Sequence, residues 1–382
     1  MKTIRIVAAD DSAVMRNLLT QMFAAERTGL QARMELCAAV PDGASCLHAV
    51  RTLKPDVVLM DLHMPGLGGM EAIARLRREW PRLPIILCSA YTEVGAGETL
   101  EAFARGASDY VTKPTGQSDA MAAMAWLWSQ LAPKILAWTA PVAMPGVGYG
   151  ASAVACGVEE TKCDPMRMQT AVVGIGVSTG GPMALERLLP CLPRDFAVPV
   201  LVVQHMPKLF TRALAERLDR CCELRVREAT AGVVLQPGTI WLAPGDSHME
   251  VTASARGVTR LVLHQGEPEN HCRPAVDVLF RSLAETYGGA ALGLVLTGMG
   301  ADGLEGSRAI AAAGGVVLAQ DKASSAVWGM PGRVAAAGLA RAVLPLEKLA
   351  DELIALTSPR EQKTAVAVRL QYSRPEVKYA IY

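Results

Sequence analysis

Short hydrophobic runs alternate with longer amphipathic segments in the first third of the chain. Each run has the length of a buried β-strand, and apolar residues recur with helical spacing between the runs. The five runs are Ile4–Ala9, Met34–Val40, Asp56–Met60, Pro84–Cys88 and Ser108–Thr112. Because strands that alternate with helices form parallel sheets, the pattern predicts an α/β domain over residues 1–116.

A second alternation of the same kind begins near Ala171 and continues to about Leu356. Its apolar runs are Ala171–Gly176, Val200–Gln204, Thr239–Ala243, Ala291–Thr297 and Val316–Gln320. Residues 117–169 between the two units are predicted to form a helix and then a linker rich in Gly, Pro and Ala. We therefore expect a doubly wound, mostly parallel, Rossmann-like α/β domain over 170–357 and a polar, charged tail over 358–382.

Composition narrows the range of partners. The 382 residues include 38 Lys and Arg against 37 Asp and Glu, so the net charge of +1 gives no electrostatic reason to expect nucleic acid or anionic lipid as a partner. No apolar run reaches the ~18 residues of a membrane helix, and the apolar run before Asp10 and Asp11 is too short for the hydrophobic region of a secretory signal. The nine cysteines include no C-x-x-C pair, which favours reduced thiols and a cytoplasmic location.

Polar residues follow four of the strands in the first unit: Asp10 and Asp11, then Asp61, Ser89 and Lys113. Since the carboxyl ends of parallel strands share one edge of a sheet, these residues are expected to meet there. Three carboxylates repel one another unless a hard cation lies between them, and oxygen ligands of this kind suit Mg²⁺. A nearby lysine offsets the remaining charge, and one carboxylate could form an acyl phosphate. Taken singly, Asp10 and Asp11 would be interpreted as a helix cap and Asp61 as a turn residue.

The second unit opens on AVVGIGVSTGGPMAL, a strand, a glycine-rich turn and a helix. The spacing of its glycines, G-x-G-x-x-x-G, differs from the dinucleotide-binding G-x-G-x-x-G, and the next strand ends in Gln204 and His205 rather than in an acid. The motif G-x-S-x-G around Ser178 instead exposes a serine hydroxyl beside helix amides. A serine in this position also caps helices, so the motif alone leaves both interpretations open.

Two further strand ends supply partners for a serine nucleophile. His205 ends the next strand, and Asp302 lies in a glycine-rich loop after a later one, so both are expected near Ser178. The chain order Ser, His, Asp differs from the order in α/β-hydrolases. His271 remains a second candidate for the base and Asp321 a rival for the acid, and spacing does not decide between them. The other histidines are expected to lie away from the site or at the surface: His48, His63, His248 and His264.

The first unit resembles the receiver domain of response regulators in Asp10-Asp11, LMDLHMPGLGG, LCSA and YVTKP. This resemblance implies a flavodoxin-like five-stranded sheet in the order 2-1-3-4-5. It further implies that Asp61 accepts phosphate from a histidine kinase and binds Mg²⁺ together with Asp10 and Asp11. The switch residues that it implies are Ser89, Lys113 and Tyr110.

The second unit resembles the chemotaxis protein-glutamate methylesterases (CheB family) in IGVSTGGP, VVQHMP, CRPAVDVLF, LTGMGADG and AQDKASSAVWGMP, which occur in this order. The resemblance implies that Ser178 is the nucleophile, His205 the general base and Asp302 its orienting partner. Thr179 and the Met299 amide are implied to lie at the oxyanion site. No cofactor is implied in this domain.

Together the two resemblances imply an enzyme that hydrolyses glutamate methyl esters on chemoreceptors, releases methanol and also deamidates receptor glutamines. The expected phosphodonor is a histidine kinase of the chemotaxis type, and the unphosphorylated receiver is expected to cover the serine edge. The alternative is a response regulator with a non-catalytic, protein-binding output domain. A DNA-binding output is disfavoured because the sequence has neither a helix-turn-helix pattern nor a basic stripe, and direct membrane insertion is not expected.

Overall fold

The computed structural model describes residues 3–25, 32–89, 92–114, 119–139 and 169–358. The predicted linker beyond Thr139 and the predicted tail beyond Ser358 lie outside the described residues. Within those residues, no helix is both long and apolar enough to cross a membrane.

The N-terminal domain contains a five-stranded parallel sheet in the order β2-β1-β3-β4-β5, which confirms the predicted topology. Every predicted strand is present, with its ends within one residue of the prediction. The central strand consists entirely of buried apolar residues, as expected of a parallel strand covered on both faces. The strands are β1 Thr3–Ala9, β2 Arg33–Val40, β3 Val57–Met60, β4 Ile85–Ser89 and β5 Asp109–Thr112.

Helices cover both faces of this sheet, and side-chain caps fix where several of them begin. Ser12 accepts a hydrogen bond from the Met15 amide, and Asp42 accepts one from the Ser45 amide at 2.8 Å. The helices are α1 Ala13–Ala24, α2 Gly43–Leu53, α3 Gly69–Glu79, α4 Glu93–Ala104 and α5 Ala120–Thr139.

Helix α5 belongs to the N-terminal domain by packing. Its residues Leu127, Leu131 and Ile135 are buried in the same core as residues of β1 and α1, and Lys134 pairs with Asp109 of β5 at 2.7 Å. A boundary at residue 116 separates this helix from the core that buries it. We therefore propose that the N-terminal unit ends at Thr139.

The C-terminal domain contains a seven-stranded sheet in the order β14-β13-β12-β6-β7-β9-β8, and every described pairing in it is parallel. The predicted doubly wound, mostly parallel fold is therefore confirmed. The sequence did not predict β8 and β14, because β8 alternates polar and apolar residues and β14 is only three residues long. The strands are β6 Val172–Val177, β7 Val200–Gln204, β8 Arg225–Glu228, β9 Thr239–Leu242, β12 Ala291–Val295, β13 Val316–Gln320 and β14 Ala342–Leu344.

An antiparallel hairpin stands apart from this sheet and consists of β10 His248–Ala253 and β11 Thr259–His264. Helices pack on both faces of the seven-stranded sheet. They are α6 Gly181–Leu188, α7 Lys208–Cys221, α8 Val276–Tyr287, α9 Leu304–Ala312, α10 Met330–Ala336 and α11 Leu346–Thr357.

The glycines of β6 serve helix packing. A Cβ on Gly176 would lie 2.3 Å from Val276 Cγ1, and one on Gly174 would lie 2.5 Å from Leu283 Cδ1, both on α8. The G-x-G spacing therefore has a packing role in bringing α8 onto the sheet.

The order in which strands are added to the sheet reverses at β6. Its neighbours are β7 on one side and β12 on the other, so the connections diverge at its carboxyl end and leave a crevice there. In doubly wound sheets this switch point is where ligands bind. Ser178 directly follows β6 and lies at this crevice.

Candidate active site

A cleft of about 480 Å³ lies between the two domains at the carboxyl edge of the C-terminal sheet. Ser178, Thr179, His205 and Cys272 line it from the C-terminal domain, and Tyr110, Thr112 and Lys134 line it from the N-terminal domain. Two of the three residues predicted for catalysis, Ser178 and His205, therefore face the N-terminal domain across a shared space.

The turn after β6 is held by backbone contacts on both sides of Ser178. Its amide donates to the Thr297 carbonyl at 3.0 Å, and its carbonyl accepts from the Gly181 amide at 2.8 Å and from Gln204 Nε2 at 3.0 Å. Gly180 has φ +77°, and a Cβ there would lie 2.5 Å from Ala326 Cβ. The turn therefore requires glycine at this position, and Ser178 is half-buried at the start of α6.

His205 and Asp302 form a close pair. His205 Nε2 lies 2.7 Å from Asp302 Oδ2, and the two side chains are 12% and 2% exposed. Burial lowers the pKa of His205, but the hydrogen bonds to Asp302 and Cys272 outweigh burial and raise the pKa above its ordinary value. This pair favours an imidazolium facing a carboxylate.

Backbone amides fix the Asp302 carboxylate from the opposite side. Oδ2 accepts from the Val276 amide at 2.7 Å, and Oδ1 accepts from the Asp277 and Gly303 amides at 3.0 Å each. Burial raises the pKa of Asp302, but His205 and these amides lower it overall. The carboxylate therefore stays ionised and occupies Nε2 of His205, which leaves Nδ1 for other partners.

The structure brings His205 and Asp302 together and places Ser178 in the same cleft without a direct bond to the ring. Within residues 169–358, no hydrogen bond joins Ser178 Oγ to His205. Nδ1 of His205 instead faces Cys272 Sγ at 3.6 Å. Catalytic hydrogen bonds are often loose in the absence of substrate, so this arrangement keeps Ser178 as a candidate nucleophile.

The residues predicted for the oxyanion site border Ser178. The loop after β12 passes directly beside it, because a Cβ on Gly298 would lie 2.8 Å from Ser178 Cβ. The next residue is Met299, whose side chain is 39% exposed, whereas Thr179 is buried. The amides of Thr179 and Met299 donate no hydrogen bond to any residue that the structure describes, so both are available to an oxyanion.

The rival candidates lie in other environments. His271 is exposed at the rim of the cleft, on a turn with φ +61°. Asp321 Oδ1 accepts from the Ser324 amide at 2.9 Å and from its hydroxyl at 2.6 Å, so it fixes the turn after β13. The prediction of a surface position for His248 is wrong: its side chain is buried, and its ring bonds the Glu267 carbonyl at 3.0 Å and the Ala275 amide at 3.2 Å.

Sequence reasoning assigned no role to three residues that surround the pair. Asn270 Nδ2 donates to Asp302 Oδ1 at 3.1 Å and to Asp277 Oδ2 at 2.9 Å. Burial, together with the charge of Asp302, raises the pKa of Asp277 to about 6, despite a hydrogen bond from the Gly306 amide. Cys272 and Asp277 lie within CRPAVDVLF, so this motif was a signal, but no strand end placed it near the site.

The N-terminal domain gathers its own predicted residues at the carboxyl edge of its sheet. Carboxylate oxygens of Asp10, Asp11 and Asp61 lie within 4.8 Å of one another. Lys113 Nζ is 2.7 Å from Asp61 Oδ2 and 2.9 Å from Asp10 Oδ2. Burial raises the pKa of Asp10 more than Lys113 lowers it. A set of three hard oxygen donors with surplus negative charge fits Mg²⁺.

The predicted switch residues lie in two different surroundings. The Ser89 hydroxyl is buried against α4, where Thr99 Oγ1 donates to it at 2.8 Å. The Tyr110 ring stacks on Phe210 of α7 with a centroid distance of 4.8 Å and an interplanar angle of 20°. Phe103 packs edge-on against the same tyrosine at 6.0 Å. Tyr110 therefore forms part of the contact between the domains.

Comparison with known proteins identifies both domains. The response regulator receiver domain model matches residues 6–125, and the CheB methylesterase model matches residues 173–353. A protein-glutamate methylesterase/protein-glutamine glutaminase of Trichodesmium erythraeum is 42% identical over 354 residues, which cover 93% of this chain and 99% of that protein. One from Nocardioides sp. is 44% identical over 356 residues, covering 93% and 95% respectively.

Solved structures of separate domains also match. The methylesterase catalytic domain of Thermotoga maritima CheB is 42% identical, with a TM-score of 0.48, and the match covers 50% of this chain and 100% of that one. The response regulator domain of Thermotoga maritima CheB is 32% identical, with a TM-score of 0.30, and the match covers 35% of this chain and 97% of that one.

Proposed function

The chain belongs to the CheB methylesterase family, and we propose that it is a phosphorylation-regulated protein-glutamate methylesterase. It hydrolyses glutamate methyl esters on chemoreceptors with release of methanol, and it deamidates specific receptor glutamines. The observation that carries this proposal is the His205–Asp302 contact of 2.7 Å in a cleft that also contains Ser178. A non-catalytic output domain would have no use for a buried imidazole–carboxylate pair beside a half-buried serine in a cleft.

In the proposed reaction, Ser178 Oγ attacks the ester carbonyl while His205 takes its proton. Because Asp302 holds Nε2, the base is Nδ1, which must exchange Cys272 for the serine hydroxyl. The amides of Thr179 and Met299 stabilise the oxyanion. His205 then protonates the leaving methoxide, and water releases the acyl group. An amide follows the same path with ammonia as its product.

The receiver supplies the regulation. We propose that Asp61 is phosphorylated by a histidine kinase of the chemotaxis type and that Asp10, Asp11 and Asp61 bind Mg²⁺. Bound Mg²⁺ would supply positive charge for the phosphoryl oxygens. Lys113 already lies 2.7 Å from Asp61 Oδ2, where it can hold one of those oxygens.

Contacts between the domains support inhibition by the unphosphorylated receiver. Helix α4 packs against α6 and α7, and Tyr110 stacks on Phe210 at 4.8 Å, so the receiver forms one wall of the cleft. Phosphorylation of Asp61 can open this wall only if it stabilises a receiver conformation in which these contacts are weaker. The resting structure therefore favours a covered site that a receptor helix reaches after the domains separate.

A cytoplasmic location is part of the proposal, because the proposed ester substrates lie on the cytoplasmic helices of chemoreceptors. The domain boundaries also remain proposals: a receiver that ends with α5 at Thr139 and a catalytic domain over 170–357.

The test measures methanol release from methylated receptor, with and without a small-molecule phosphodonor. We expect release to increase with the phosphodonor and to fall by several orders of magnitude in Ser178→Ala. Ser254→Ala, on the β10–β11 hairpin turn, is the matched control and should leave release near the parent rate. Near-normal release from Ser178→Ala would contradict the assignment of the nucleophile. Ammonia release from a receptor that retains its glutamines tests the second activity.

A further inference from the structure

Cys272 is a free thiol placed against the catalytic imidazole. Its Sγ lies 3.6 Å from His205 Nδ1, and its side chain is partly exposed in the cleft. A thiol, an imidazole and a carboxylate are thus arranged in sequence, because His205 Nε2 is 2.7 Å from Asp302 Oδ2. This is the geometry of an activated nucleophile, with a base beside it and a third group that orients the base.

A rigid turn holds the thiol in this position. Glu269 and Cys272 exchange two backbone hydrogen bonds, of 3.1 and 2.8 Å, and both residues between them have positive φ. Arg281 binds the Glu269 carboxylate through two nitrogens, at 2.7 and 2.6 Å. Asn270 in the same turn donates to Asp302 at 3.1 Å. The turn is therefore tied to the carboxylate that orients His205, and it places Cys272 beside the ring.

Four of the six other described cysteines illustrate different surroundings. Cys46 and Cys88 are buried, and burial raises the pKa of each to about 12. Cys191 and Cys221 are exposed, but each thiol faces a backbone carbonyl at 3.3 Å. These two exposed thiols have no hydrogen bond to an imidazole among the described residues, so they provide an internal standard for ordinary reactivity.

We propose that Cys272 is a site of reversible oxidation by hydroperoxides, activated by the His205–Asp302 pair that serves Ser178. When His205 is neutral, the Cys272 thiol passes its proton to Nδ1, and its sulfur attacks one peroxide oxygen. An S–O bond forms and the O–O bond breaks. The leaving oxygen takes the proton from His205 and departs as water or an alcohol. Sulfur is oxidised by two electrons, the peroxide is reduced by two, and the product is a sulfenic acid.

The sulfenic acid would block the esterase by occupying the nitrogen that Ser178 requires. Because Sγ lies 3.6 Å from Nδ1, an oxygen added to the sulfur would be within reach of a hydrogen bond with the ring. Since Nε2 is committed to Asp302, His205 then has no free nitrogen for the serine proton. A thiol reductant would restore the thiol and the activity.

The first experiment measures thiol reactivity on the full chain and needs no substrate. The chain is treated with iodoacetamide for increasing times, and each cysteine is quantified by peptide mass spectrometry. We expect Cys272 to react about tenfold faster than Cys191 and Cys221, and this advantage to be lost in His205→Ala and in Asp302→Asn. Equal rates for the three thiols, or an advantage that survives both substitutions, would overturn the proposal.

The second experiment links oxidation to activity and rests on the proposed function. Hydrogen peroxide should label Cys272 with a sulfenic-acid trap and reduce methanol release in proportion, and dithiothreitol should reverse the loss. Cys272→Ser, scored as a fraction of its own untreated rate, should resist peroxide, whereas Cys191→Ser should remain sensitive. If peroxide lowered the activity of Cys272→Ser relative to its own untreated rate, the proposed link would be overturned. If Cys272→Ser does not fold, the iodoacetamide comparison still tests whether Cys272 is activated by His205 and Asp302. That comparison needs no esterase activity, so it remains valid even if the proposed function is wrong.

Discussion

The two domains contain the same kind of ion pair but use it in different ways. Each holds a buried carboxylate beside a cation at the carboxyl edge of a parallel sheet, and the closest N···O distance is 2.7 Å in both Asp61–Lys113 and Asp302–His205. In the receiver the cation is a lysine, and the carboxylate is itself the proposed reacting group. In the cleft the cation is a histidine that must release its proton in the proposed reaction, and the carboxylate is proposed to orient it.

The pKa directions reflect this difference. Burial raises the pKa of Asp10 in the receiver, and the hydrogen bond and charge of Lys113 lower it by less. Asp302 is also buried, but its pKa falls because His205 and backbone amides outweigh burial. The receiver cluster therefore keeps negative charge that Lys113 does not offset, and a bound Mg²⁺ can offset it. The negative charge of Asp302 in the cleft is already stabilised by His205 and by backbone amides.

The largest predicted effect separates the two cations. His205→Ala should lower kcat for methanol release by about 10³- to 10⁴-fold with or without a phosphodonor, because the serine loses its base. Lys113→Ala should instead abolish the stimulation by the phosphodonor, so that the ratio of the two rates approaches one. The measurement is methanol release at saturating receptor. If Lys113→Ala lowered the unstimulated rate as far as His205→Ala does, the two sites would not have separate roles.

The next prediction tests the carboxylate of the cleft. Asp302→Asn should lower kcat/KM by about 10²- to 10³-fold, because the ring loses its orienting charge. It should also move the pH profile. His205 must be neutral to act as a base, and its pKa is raised in the parent, so the parent rate should increase with pH until that raised pKa is passed. Without the carboxylate the pKa falls, and the rising limb should move to lower pH.

The control for this profile is Asp61→Asn, which removes a carboxylate of the other domain. Its rising limb should coincide with that of the parent when no phosphodonor is present. If the rising limb of the Asp302→Asn profile coincided with that of the parent, Asp302 would not set the protonation of His205.

Groups that directly follow a buried strand were predictable from the sequence. Asp10, Asp61 and Lys113 in one domain, and Ser178 and His205 in the other, come at strand ends that share an edge. Hydrophobic runs locate such ends, and parallel topology brings them together. The five-stranded order and the mostly parallel second sheet followed from the same pattern and from the family resemblance.

Groups that arrive on long loops were not predictable in this way. Asn270 and Cys272 depend on a turn after the β10–β11 hairpin, where two consecutive residues adopt positive φ without glycine. Tertiary contacts stabilise that turn, chiefly the bonds from Asn270 to Asp302 and from Arg281 to Glu269. No periodicity encodes such contacts. The close packing of α5 on the receiver was missed because a helical pattern does not indicate which core buries it.

A smaller effect is expected from the loop-borne support of the cleft. Asn270→Ala removes the amide that bridges Asp302 and Asp277, so two buried acids lose their shared donor. A lost hydrogen bond to a buried charged group costs about 1.5–3 kcal/mol, and we expect kcat/KM to fall by about tenfold or somewhat more. Asn270→Asp should be worse, since it adds a third carboxylate. Methanol release and a thermal melt measured together distinguish lost orientation from unfolding.

The smallest predicted effect concerns the contact that joins the two sites. Tyr110→Ala removes the ring that stacks on Phe210 at 4.8 Å, and such aromatic pairs contribute about 0.5–1.5 kcal/mol. The covered arrangement should weaken by that amount, so the rate without phosphodonor should increase about two- to tenfold and stimulation should shrink by the same factor. Tyr110→Phe retains the stack, so its rate without phosphodonor should lie closer to the parent rate than that of Tyr110→Ala. An unchanged basal rate in Tyr110→Ala would mean that this stack does not restrain the cleft, and the coupling would then have to lie in the packing of α4 against α6 and α7.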